Sequence, residues 1–153
     1  MSTISHASFP LSSAKTASAE ASAVKPWVLL LGRIFYVAIF VMSGLTHFTA
    51  GPVAYATAAG VPFASIAVPA AGILALAGGL SILLGYRARI GAWLLVLFLV
   101  PVSLAMHNFW AVKDPMMAQM QMVMFMKNVS MLGGALLISQ FGTGPWSLDA
   151  RQK

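Results

Sequence analysis

The sequence predicts an all-α integral membrane protein, an antiparallel bundle of four spanning helices. Three observations carry this expectation. The chain is 59% hydrophobic and only 8% charged, whereas soluble domains carry about 25% charged residues, and a chain this short has too little interior to bury that much apolar surface. The apolar residues gather into four runs, each close to the roughly 20 residues that cross a bilayer as a helix. The charges fall mostly between those runs, where they set topology.

The first 26 residues are rich in Ser and Ala and have no sustained apolar period, so they read as a flexible tail on the cytoplasmic side. No apolar stretch precedes the A-x-A-like sites between positions 19 and 23, and a cleaved signal peptide is therefore not expected. The membrane domain spans residues 27–149, with helices over about 27–48, 63–84, 90–107 and 116–141. The third is the shortest, and Pro101 predicts a kink in it. The ring frees the carbonyl of Leu97, and Ser103 lies close enough to help satisfy backbone there. The fourth has a clear start, with Asp114 as N-cap and Pro115 in the first helical position. At about 26 residues it is roughly 39 Å long, longer than the hydrocarbon core, so its first turns reach the outer interface or the helix tilts.

Small residues recur within the runs: Gly32, Ser43 and Gly44; Ala71, Ala75, Gly78 and Gly79; Gly133, Gly134 and Ala135. In lipid such residues let helices approach closely, and short connections then give a compact antiparallel bundle.

The net charge is +6, but no basic patch is interleaved with aromatics, so nucleic acid is not an expected partner. With the N-terminus inside, Lys15, Lys25, Arg87, Arg89, Arg151 and Lys153 all lie on the cytoplasmic side and only Lys113 falls in an outside loop. The positive-inside rule thus puts both termini in the cytoplasm. Trp27, Tyr86, Trp93 and Trp146 then mark the inner interface, and Tyr55 and Trp110 the outer one. The chain has no cysteine. That excludes a disulfide relay, a thiolate-held iron–sulfur cluster and thioether-linked haem.

Charged groups inside a bilayer are costly and usually face the interior of a bundle. Arg33 lies in the first run and Lys127, followed by Asn128, midway along the fourth. His47 and His107 close the first and third runs, at the outer face. Helical spacing puts Arg33, Gly44 and His47 on one stripe and Lys127, Met131 and Gly134 on another. His47, His107, Asn108 and Lys127 are therefore expected to converge in the outer half. The candidate cofactor-binding set is Lys127, His107, His47, Asn128 and Arg33. Each has an alternative structural explanation: snorkelling of Arg33 to the headgroups, a hydrogen bond from Lys127 to a carbonyl or histidine, and interfacial hydrogen bonds for the histidines. Two histidines at one depth could ligate a metal or haem, but no third ligand is visible and no metal site is predicted. No catalytic residue is identified.

Six methionines fall between positions 116 and 126. Thioethers suit Cu(I), yet on a helix Met116, Met120 and Met124 share a face while Met122 and Met126 point elsewhere. Gap-filling and contact with lipid or a partner explain them better.

In order, GRIFYVAIFVMSGLTHF (32–48), GVP (60–62), GGLSILLGYRARIGA (78–92), HNFW (107–110), MFMKNVSMLGGALL (124–137) and GPWSLD (144–149) make a chain that resembles the DoxX family of small four-helix membrane proteins. The resemblance implies a bacterial inner-membrane protein and an oxidoreductase component associated with quinone-linked electron transfer, with a quinone as the implied cofactor. It also implies a departure, because the family pattern has an acidic residue shortly before the GG of the second helix, where residues 73–77 here are wholly apolar. Arg33 and Lys127 are then left without an intramembrane carboxylate. Two other functions fit the same residues: a non-catalytic scaffold or assembly factor for a partner complex, and a pathway for a small solute or anion. The expected partners are the lipid bilayer and either a redox subunit or further copies of the chain. A soluble-enzyme reading has no support, since there is no nucleotide-binding glycine loop, acid/base carboxylate pair or serine nucleophile elbow.

Overall fold

The computed structural model describes residues 25–152; the expected flexible tail lies outside this range except for its last two positions, and Pro26 already belongs to a helix. In chain order the elements are α1 (Pro26–Thr46), α2 (Ala50–Ala58), α3 (Ala64–Leu84), α4 (Ala88–Met106), a 3-10 turn (Phe109–Ala111), α5 (Pro115–Phe141) and α6 (Leu148–Arg151). The four helices α1, α3, α4 and α5 are long and apolar enough to cross a membrane. There is no strand among the described residues. The fold is thus the all-α membrane bundle that the sequence predicts. Three short elements were not expected: α2, the 3-10 turn and α6.

Local chemistry explains where the helices begin. The Asp114 carboxylate accepts from Met117 N at 2.8 Å and Pro115 follows in the first turn, as the sequence predicts. The start of α4 is different. Arg87 has a left-handed backbone (φ 47°) and provides no side-chain cap. Its place is taken by Asp149, whose two carboxylate oxygens accept from Arg87 N at 2.8 Å and Ala88 N at 3.1 Å. Asp149 N in turn donates to Gly85 O at 2.8 Å. The C-terminal segment therefore caps a spanning helix that begins 61 residues earlier, satisfying amides that would otherwise be orphaned.

The α4 helix runs unbroken through Pro101. Contrary to expectation, the Ser103 hydroxyl donates to Leu99 O, at 2.6 Å, and not to the Leu97 carbonyl. It bonds the carbonyl four residues back from itself, the usual reach of a helical serine. Pro69 is likewise accommodated inside α3.

Packing runs α1 on α3, α3 on α4 and α4 on α5. The core comprises Val37, Phe40, Ala75, Ile82, Ala92, Leu95, Phe98, Leu99 and Ala135, and Ala56, Ala64 and Val68 form a smaller cluster beneath α2. Glycines set the closest approaches. A Cβ on Gly72 would lie 3.0 Å from Gly44 O, and one on Gly78 would lie 2.8 Å from Gly91 O. Gly32 and Gly133, also expected at interfaces, meet nothing within 4 Å. Between α1 and α5 the Tyr36 hydroxyl donates to Met131 O at 2.6 Å, and its ring lies against Gly134. Large apolar side chains cover the outside, with Phe35, Met42, Ile66 and Leu97 exposed, as a lipid-facing surface requires. Met116, Met117, Met120, Met122 and Met126 are exposed too, so these methionines face outward and do not converge.

Candidate functional site

At the end of the bundle that carries α2 and the 3-10 turn, the helices part around a cavity of about 540 Å³, within the range of small-molecule sites. All four spanning helices and α2 contribute to its wall. The wall is mainly apolar, from residues such as Phe40, Val68, Phe98, Val102 and Met131. Four of the five candidate residues line it: His47, His107, Lys127 and Asn128. Helical spacing brings Lys127 and Asn128 to it from α5, while His47 and His107 are the residues that end α1 and α4. Asn108, expected among them, is not part of the wall.

His47 Nδ1 lies 2.7 Å from Ser43 O, one turn back. His107 Nδ1 lies 2.7 Å from Gln121 Oε1, and Gln121 Nε2 donates to the Tyr55 hydroxyl at 3.2 Å. This chain ties α2, the end of α4 and α5 together across the cavity's end. Sequence reasoning missed Gln121, which is hidden in the methionine run, and gave Tyr55 only an interfacial role. Asn128 is only 5% exposed, and neither its side chain nor that of Lys127 hydrogen-bonds to a described residue. The Asn128 amide is not one of the fully buried unpartnered polar atoms, so it opens to the cavity it lines, and both groups remain available to a ligand.

Arg33 is not part of this site. It is 5% exposed, and its Nη2 donates to Trp146 O at 2.7 Å at the opposite end of the bundle. Its Nε and Nη1, and the Thr143 hydroxyl, are buried without partners among the described residues. The structure thus gathers four of the candidate residues around the cavity and places Arg33 apart from them, against the C-terminal segment. The helical stripe that links Arg33 to His47 runs along about two thirds of α1 and cannot bring its two ends together.

A second hollow of about 690 Å³ lies beside that segment, among Arg87, Arg89, Thr143 and Asp149. Its one carboxylate, Asp149, is already committed to the α4 amides. No group of three or more His, Cys, Asp or Glu side chains comes together among the described residues. Lys127 in the cavity wall disfavours a bound cation there.

These features define a class: a small four-helix integral membrane protein with a mainly apolar, polar-tipped cavity between its helices. The chain belongs to the SURF4 family, whose model matches residues 11–153. This corrects the DoxX expectation, since the matching family is a different one and the motifs quoted for DoxX lie within the matched range. The chain is 30% identical to Inner membrane protein YphA of Escherichia coli (strain K12) over 131 residues, covering 84% of this chain and 93% of that protein. It is 32% identical to Inner membrane protein YqjF of the same organism over 123 residues, covering 79% and 88%. No solved structure shows significant similarity. The protein is an integral inner-membrane protein of this family.

Proposed function

We propose that this protein holds a lipophilic small molecule with an oxygen-bearing head inside the inner membrane, and that a quinone serving electron transfer is that molecule. The observation that carries this reading is the cavity, where Lys127 and the unpartnered, buried Asn128 meet an apolar wall. The chain has three acidic residues, and the two in the described range, Asp114 and Asp149, each cap a helix. Lys127, exposed at the cavity's edge, therefore has no carboxylate partner among the described residues, and a carbonyl or anionic oxygen of a ligand supplies what it lacks. A cation at that point also favours the more negative oxygen of a reduced ring. With the DoxX resemblance overturned, the quinone reading stands on this chemistry alone.

The protein would be purified in mild detergent and extracted with organic solvent, and quinone quantified by mass spectrometry, with Lys127→Met in parallel. Near-stoichiometric quinone, lost in the variant, is expected. Quinone at background in both would overturn the reading. It would favour a scaffold whose partner surface is the exposed methionine face of α5 together with the aromatic trio Phe109, Trp110 and Phe125, whose ring centroids lie 5.1–5.8 Å apart.

A further inference from the structure

The polar groups around the cavity do not all ask for the same kind of oxygen. Lys127 can only donate, and Asn128 offers both an NH₂ and a carbonyl. His47 is the opposite of Lys127. Its Nδ1 sits 2.7 Å from Ser43 O, and a carbonyl oxygen can only accept, so Nδ1 carries the proton. In the neutral ring Nε2 is then a bare lone pair, and no described residue hydrogen-bonds to it. The ring is held in place. It meets Phe98 edge-on with centroids 5.8 Å apart, and its Cβ lies so close to Gly72 that a Cβ there would come within 2.7 Å.

The other groups are less committed. His107 faces a glutamine amide, which can donate or accept according to its orientation. The hydroxyls of Ser43 and Tyr55 turn to suit a partner. Among the described wall residues, His47 is thus the one whose accepting role the backbone imposes.

We infer that the cavity selects an amphiphile with two oxygens of opposite role on one apolar body, a hydroxyl that donates to His47 Nε2 and an acceptor oxygen held by Lys127 and Asn128. This rests on the reading of the cavity as a ligand site and specifies the head of that ligand. A molecule with acceptor oxygens alone turns one of them toward the His47 lone pair, where no hydrogen bond forms. For a quinone-type ligand the cavity therefore prefers the reduced, hydroxyl-bearing form.

Two probes on the same skeleton test this: hexyl 4-hydroxybenzoate and hexyl 4-methoxybenzoate. Both carry an ester carbonyl for Lys127 and Asn128, but only the first has a hydroxyl to donate. Binding to the full-length protein in nanodiscs would be measured by equilibrium dialysis, with empty nanodiscs subtracted. The hydroxy ester is expected to bind about tenfold more tightly, as for a hydrogen bond to an otherwise unpaired group. His47→Phe should abolish that preference, and a circular dichroism spectrum and unfolding midpoint matching the unsubstituted protein show that the variant is folded. Equal binding of the two esters by the unsubstituted protein would overturn the inference and leave the ligand site standing. Loss of the preference in His107→Phe but not in His47→Phe would overturn the assignment to His47. Binding of neither ester would remove the ligand site itself, and the inference with it.

Discussion

At the scale of single residues, Arg33 and Lys127 show how one sequence signal leads to two outcomes. Each is a lone cation in an apolar run. Arg33 is buried, and it bonds the Trp146 carbonyl 113 residues away. Lys127 lines the cavity, with Asn128 beside it. The difference is one of partners, and partners distant in sequence leave no local trace. The two described aspartates repeat the lesson. Asp114 is legible as a cap because its amide partner is three residues on, whereas Asp149 reads only as part of a terminal motif. Asp149→Ala removes two charge-assisted bonds to the start of α4. It is expected to destabilise the bundle by about 1–3 kcal/mol, seen as a lower unfolding midpoint together with faster hydrogen exchange at Ala88 N. An unchanged exchange rate at that amide would show that the cap contributes nothing.

At the scale of elements, the spanning helices were legible because length and apolar content are properties of contiguous sequence. The observed bounds all fall within two residues of the expected ones, the largest differences being the third helix's start at Ala88 and the first helix's end at Thr46, where α2 follows after a short turn. α2 has only nine residues, and Thr49 before it and Thr57 within it blur any apolar run. Glycine positions were visible, but not what they touch. Gly78 faces the Gly91 carbonyl, and Gly133 faces open space. Gly78→Ala should therefore force α3 and α4 apart and cost about 1–3 kcal/mol. Gly133→Ala should be neutral or stabilise α5 by up to about 1 kcal/mol. Unfolding of the two variants in detergent, compared side by side, checks both. Equal effects would mean that the α3–α4 approach is looser than 2.8 Å implies.

At the scale of the whole molecule, one end of the bundle gathers Lys25, Arg87, Arg89 and Arg151, brought together by the Arg33–Trp146 and Asp149–Arg87 contacts. The other end carries Lys113 and the cavity. This asymmetry supports the proposal that both termini face the cytoplasm. Because the chain has no cysteine, the test is direct. Gln152→Cys should react with an impermeant maleimide only after the inner face is opened, and Lys113→Cys should react in intact cells whose outer membrane has been permeabilised. The reverse pattern would invert the topology and place the cavity at the cytoplasmic side.

The sequence by itself determined the class of protein, the number of spanning helices and most of their limits. These depend on runs of apolar residues, local caps and the thickness of a bilayer. It also picked out four of the polar residues that line the cavity, because a polar group in an apolar run stands out wherever it sits. Only the tertiary structure decided that Arg33 belongs to the other end, that Gln121 and Tyr55 complete the polar chain, and that Asp149 caps α4. Each of those rests on a hydrogen bond between segments far apart in the chain, and neither periodicity nor composition records such a bond.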